Sequence, residues 1–199
     1  NNEKPYLTLR INALKTKPEE FRTLLDNVNL KDHQGAYLPE FFKLQNLTNI
    51  TAWDLYAKGY FNIQDESAGL ACRLLDVQQG QRVLDMCAAP GGKTAYIAAL
   101  MHSRGEVVAV DRFESRLKLL QKNMVRLSVD CVRIVEADAL EYKSLPFDRV
   151  LVDAPCSGLG IIQKKGEVSN WWSLDHVDRL QHLQMRLLIA AIKMAKAGA

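Results

Sequence analysis

Residues 82–94 read Arg-Val-Leu-Asp-Met-Cys-Ala-Ala-Pro-Gly-Gly-Lys-Thr. Arg82 to Met86 is a short, mainly apolar run that stops at a cluster of small residues, the pattern of a buried strand entering a turn. A helix is expected from Thr94 to Met101. Further strands are expected at Glu106–Asp111, Val132–Asp138 and Phe147–Asp153. Between the first two of these, Glu114–Leu127 carries Leu117, Leu120, Met124 and Leu127 at helical spacing. A last helix is expected from Val177 to Lys196. Strands alternating with helices predict an α/β fold, a doubly wound, Rossmann-like parallel sheet.

Upstream, the pattern differs. Leu7, Leu9 and Ile11 alternate with Thr8 and Arg10, which predicts a strand with one apolar face. Thr16 and Glu19 have capping-box spacing, and Phe21, Leu24, Leu25 and Val28 follow on one helical face. A second strand is expected near Ala36–Leu38, with helices near Ala52–Ala57 and Ser67–Leu75. The expected organisation is a small α+β subdomain over residues 1–44, a helical connector over 45–80 and the main domain over 81–199. The chain stops at Gly198–Ala199, where a helix-ending glycine would lead into a fifth strand, and it begins at a polar Asn1 without methionine. Both ends are therefore expected to be fragment boundaries.

The chain has 199 residues, 48% hydrophobic and 25% charged, the balance of an ordinary globular domain. No apolar run reaches the roughly 18 residues of a membrane span, and no signal segment is visible. The cysteines at 72, 87, 131 and 156 form no CxxC pair, so neither a zinc site nor a disulfide framework is expected. A reducing, cytoplasmic setting without membrane or metal follows as the expectation. A net charge of +3 is a weak pointer to an anionic partner.

In such sheets the ligand sits at the carboxyl ends of the strands. The loop there consists of Cys87, Ala88, Ala89, Pro90, Gly91, Gly92 and Lys93. It is not GxGxxG. It has the Gly-Lys-Thr end of a P-loop, but Cys87 stands where the first glycine belongs. S-adenosylmethionine, which carries no phosphate, is the third candidate. It needs a tight loop and an acid for its ribose. Asp111 ends the second strand, 19 residues after Gly92. Asp138 and Asp153 end the third and fourth, Asp138 placed for the adenine amino group.

Residues 152–158 read Val-Asp-Ala-Pro-Cys-Ser-Gly. This turn delivers Asp153 and Cys156 to the edge that holds the loop. A buried, inert cysteine is the plain alternative, but the flanking Pro155, Ser157 and Gly158 favour a rim position. Carbon 5 of cytosine is a poor nucleophile until a thiolate adds to carbon 6, so a cysteine here suits covalent catalysis on a flipped-out base. Asp153 could then stabilise the adduct at ring nitrogen 3 or the exocyclic amine.

The segments VLDMCAAPGGKT and VLVDAPCSGLG, with PYLTLRINALKTKPEEF and GYFNIQDESAGLACRLL, resemble the RNA cytosine-5 methyltransferase family of RsmB and its NSUN relatives. The resemblance implies S-adenosyl-L-methionine as cofactor, held by Cys87 to Lys93, Asp111, Asp138 and Asp153. It implies an RNA substrate, ribosomal first and transfer RNA second. It also implies that residues before Leu44 form an RNA-recognition-like subdomain. In that family the attacking thiol lies in a Thr-Cys turn after the fifth strand, and the Pro-Cys cysteine releases product. Cys156 is therefore expected to act in release. No Thr-Cys pair occurs in this sequence, so the nucleophile is expected beyond Ala199, and these residues alone should be inactive. The attacking role for Cys156 is the minority reading. A non-catalytic RNA-binding or assembly factor, and a nucleotide hydrolase with an odd P-loop, are the competing classes.

Lys164 and Lys165 could hold phosphates, and Trp171 or Trp172 could stack on a base. Arg112, Arg116, Lys118, Lys122 and Arg126 give the second helix of the main domain a basic side, more simply a solvated face; Arg112 and Arg116, nearer the pocket, are the better substrate contacts. His33, His102, His176 and His182 sit in no motif.

Overall fold

The computed structural model describes residues 6–26, 32–45, 49–158 and 174–199. It contains two four-stranded sheets, one antiparallel and one parallel.

The antiparallel sheet is built from β1 (Leu7–Ile11), β2 (Asp32–Gln34), β3 (Phe41–Leu44) and β4 (Phe61–Ile63), in the order β2-β3-β1-β4. Helix α1 (Pro18–Asp26) covers one face, where Leu9, Ile11, Phe21, Leu25, Phe42 and Phe61 form a core. The opposite face is not the solvated one that the alternation suggests. Thr8 and Arg10 are buried there, Arg10 only 2% exposed, because that face packs onto the main domain and Arg10 lies over the ring of Tyr96.

Two local expectations are corrected here. Residues 36–38 are not a strand: the Glu66 carboxylate accepts the backbone N–H groups of Ala36, Tyr37 and Leu38, turning the chain between β2 and β3. The capping carboxylate of α1 is Glu20, not Glu19, and it accepts from Lys17 N–H. Pro18 takes the first helical position, which moves the box one residue along. The stretch between the expected units also holds more than helices. A short 3-10 turn and α2 (Asp54–Ala57) precede β4, which pairs with β1, and α3 (Glu66–Leu74) follows.

The parallel sheet has the order β7-β6-β5-β8, from β5 (Arg82–Asp85), β6 (Glu106–Asp111), β7 (Val132–Glu136) and β8 (Arg149–Leu151). Side chains alternate between its faces. Val83, Val107 and Ala109 pack under α3, α4 (Gly92–Leu100) and α5 (Glu114–Leu127). Leu84, Met86, Val108, Val110 and Phe147 pack under α6 (Leu174–Met194) through Leu187, Ala191 and Met194. The result is the expected three-layer α/β domain. β8 is shorter than expected because Phe147 bonds the end of α6 instead, donating to Met194 O and accepting from Lys196 N–H.

Strand β5 has β6 on one side and β8 on the other, so the strand order reverses at β5. The crevice beyond its carboxyl end is where such sheets bind ligands.

Candidate active site

The loop after β5 turns into α4 at Gly91, whose φ of +97° lies in the left-handed region. A Cβ there would sit 2.9 Å from Met124 Cε and 3.0 Å from Leu120 Cγ. Glycine is thus required twice, by backbone conformation and by the close approach of α5.

Two clefts flank this loop, each of about 450 Å³ counted to its open mouth, and Cys87 lines both. The first lies over the ends of β6 and β7. Asp111, Phe113, Arg116, Asp138, Pro155, Leu183 and Leu187 are among its walls. Two acids face apolar side chains of α6 here. The second cleft lies between the loop and the small subdomain, lined by Gln64, Ala68, Asp85, Ala88, Ala89, Pro90, Gly92, Lys93 and Asp153.

Asp111 is 4% exposed, and both its oxygens are already engaged. Oδ2 accepts from Ala89 N–H at 3.3 Å and pairs with Arg116 at 3.2 Å, while Oδ1 accepts from Phe113 N–H. These bonds orient the carboxylate, and Oδ1, with a single partner, keeps a lone pair for a ligand. Arg116 also donates to Ala89 O, so one acid and one base clamp the loop to the start of α5. Asp138 stands two residues past β7, where its Oδ1 accepts from Leu140 N–H.

Lys93 and Asp153 form an ion pair across the mouth of the second cleft. Beneath them lies Asp85, 1% exposed. Thr94 Oγ1 donates to its Oδ2 at 2.7 Å, but Oδ1 has no hydrogen-bond partner among the described residues. Burial pushes this carboxyl up to about 6; the Thr94 bond works against the rise and the nearby Asp153 adds to it. Gln64, at the end of β4, also has an unpartnered buried oxygen. Burial likewise raises the Cys87 thiol to about 11, so Cys87 is a lining group rather than a thiolate at neutral pH.

The parallel sheet, the glycine-capped loop, three strand-end acids and an exposed Pro-Cys turn thus share one edge. A family model described as "16S rRNA methyltransferase RsmB/F" matches residues 72–199. This chain belongs to that family. It is 34% identical over its whole length to the ribosomal RNA small subunit methyltransferase B of Pseudomonas syringae pv. tomato, and spans 45% of that protein. It is 39% identical over 99% of its length to the mouse 28S rRNA (cytosine-C(5))-methyltransferase, and spans 26% of it. Among solved structures, a methyltransferase homolog protein from Pyrococcus horikoshii superposes with a TM-score of 0.86 at 31% identity, over 98% of this chain and 62% of that one. The chain therefore spans less than half the length of each of these two curated relatives.

In this RsmB/F domain Cys87 to Pro90, Gly92, Lys93, Asp111, Arg116, Asp138 and Asp153 line the two clefts, Gly91 caps α4, and Cys156 is exposed beside Pro155 of the first cleft. Lys164, Lys165, Trp171 and Trp172 lie outside the described residues. The basic side of α5 is not a single stripe. Arg112 lies over Phe113 and Lys118 pairs with Glu114. Arg126 turns inward, donating to Tyr56 O, Phe61 O and Asn62 Oδ1 of the small subdomain. Sequence reasoning missed Gln64, Asp85, Phe113, Leu183 and Leu187. Only Asp85 left a signal, an acid inside an otherwise apolar strand. Among the described residues no helix is long and apolar enough to cross a membrane, and no cluster of His, Cys, Asp and Glu could hold a metal ion.

Proposed function

We propose that this chain is the cofactor-binding part of a cytoplasmic RNA cytosine-5 methyltransferase that uses S-adenosyl-L-methionine and acts on ribosomal RNA. The observation that carries the reading is the adjacency of the two clefts. The one with Asp111 and Asp138 suits an adenosine, its ribose hydroxyls donating to Asp111 and its adenine amine to Asp138, with Phe113 and Leu187 against the apolar faces. Cys87 is a wall of this cleft and of the neighbouring cleft of Lys93 and Asp153. The bound cofactor supplies an electrophilic methyl group on a sulfonium.

A pyrimidine unstacked into the second cleft would meet Lys93 and Asp153 with its polar edge. A thiolate adding to ring carbon 6 makes carbon 5 nucleophilic, and the transferred methyl bonds there. Release then breaks the carbon–sulfur bond as carbon 5 gives up its proton to a base. The attacking thiol is assigned to a Thr-Cys turn outside these residues, and Cys156 to the release step. The relatives named above, with names that specify ribosomal RNA, support that substrate class.

The test uses the full-length protein with Cys156→Ala, cofactor and cytosine-containing RNA. A protein–RNA complex that survives denaturing electrophoresis is expected in the variant and not in wild type. An adduct in wild type that is lost in the variant would make Cys156 the nucleophile. Calorimetric binding of ATP with magnesium, and none of S-adenosylmethionine, would overturn the whole reading.

A further inference from the structure

The loop over residues 152–158 has no regular secondary structure, yet it must present Cys156 at a defined place. Two side chains tether it. Lys93 holds Asp153, and Gln184 Nε2 on α6 donates to Pro155 O at 2.8 Å. The second tether acts on one particular peptide. Pro155 C=O and Cys156 N–H belong to the same rigid plane, so fixing the carbonyl fixes the direction in which the chain enters Cys156. The Pro155 ring already restricts the preceding torsion.

Gln184 stands on a firm base. Leu187, Ala191 and Met194 of α6 are buried against the sheet, and Met194 O accepts from Phe147 N–H. Leu183 and Leu187, on the same side of the helix, line the cleft that Pro155 also lines. One helix thus forms a wall of the first cleft and sets the cysteine turn.

We infer that Gln184 is a positioning residue for Cys156: its amide orients the Pro155–Cys156 peptide and so places the thiol for the release step. This rests on the role proposed for Cys156 above. Gln184 touches neither reacting atom, so its effect runs only through the turn.

The experiment compares Gln184→Leu, which removes the donor, with Gln184→Lys, which supplies another, in the full-length protein. Release of the methylated RNA from the covalent complex should slow by about tenfold in Gln184→Leu, the scale of one lost hydrogen bond at a rate-determining geometry. S-adenosylmethionine affinity should stay within about twofold on the same scale, and Gln184→Lys should recover most of the release rate. Unchanged release in Gln184→Leu overturns the inference. So does a loss of cofactor affinity as large as the loss in release, because the helix wall rather than the turn would then be responsible. Iodoacetamide labelling of Cys156, followed by peptide mass spectrometry, reads the geometry without catalysis. Its rate should change about threefold or more in Gln184→Leu if the hydrogen bond sets the thiol. An unchanged labelling rate counts against Gln184. A Cys156→Ala protein that forms no adduct with RNA, alongside the labelling change in Gln184→Leu, counts against the proposed reaction alone.

Discussion

Asp85→Asn isolates the cost of the buried carboxylate under the loop after β5. Asp85 is held at about 6 in the folded protein against an ordinary value of 3.8. The native state therefore keeps its proton through a pH range where the unfolded chain has released it. Where the native state binds more protons, stability falls as pH rises. The group is neutral in both states below about 3.8 and costs nothing extra there; above about 6 the cost is complete. At 1.36 kcal/mol per pKa unit this amounts to about 3 kcal/mol. Asparagine keeps an acceptor for Thr94 and carries no charge, so it escapes the cost.

The assay is guanidinium unfolding of both proteins at a series of pH values from 4 to 7. The stability difference should move in the variant's favour by about 2 kcal/mol across that range, mostly before about pH 6, the rest of the cost being already present at pH 4. Any fixed penalty from the new amide donor shifts the whole curve and leaves its slope intact. A difference that stays flat to about 0.5 kcal/mol, the usual scatter of additive effects, would refute the argument. Cofactor binding gives a second reading of the same group. A ligand with positive charge near Asp85 favours the carboxylate, so wild-type affinity should rise with pH through about 6 while the variant's should not.

Asp111→Ala should weaken S-adenosylmethionine binding by about 1.5–3 kcal/mol in calorimetry, with part of the loss from release of Ala89 N–H and Arg116. Arg126→Met should lower unfolding stability by about 2–4 kcal/mol, because it removes the donor to Tyr56 O, Phe61 O and Asn62 Oδ1 between the small subdomain and α5. Gly105→Ala should cost about 1–3 kcal/mol or more on thermal unfolding. Its φ is +126° and a Cβ would fall 2.4 Å from Gln81 O.

The main sheet was readable because its signals are local. Runs such as Val107–Val110 are apolar on both faces, as a parallel strand under two helix layers must be. The acids that close β6 and lie just past β7 and β8 could be located by counting along those runs. The errors share a cause. The Ala36–Leu38 segment has strand-like residues, but a carboxylate from residue 66 captures its amides. Arg126 reads as one more surface cation on α5, and tertiary packing turns it into the clasp of the small subdomain.

Pattern and motif along the chain thus decided the architecture, the glycine-capped loop after β5 and the residues at the sheet edge, because strand periodicity and turn chemistry act over a few residues. Whether Thr8 and Arg10 face water, whether Asp85 ionises, and what holds the Cys156 turn were decided only by the fold. Each depends on groups dozens of residues away in sequence, and burial or a hydrogen bond exists only once those groups meet.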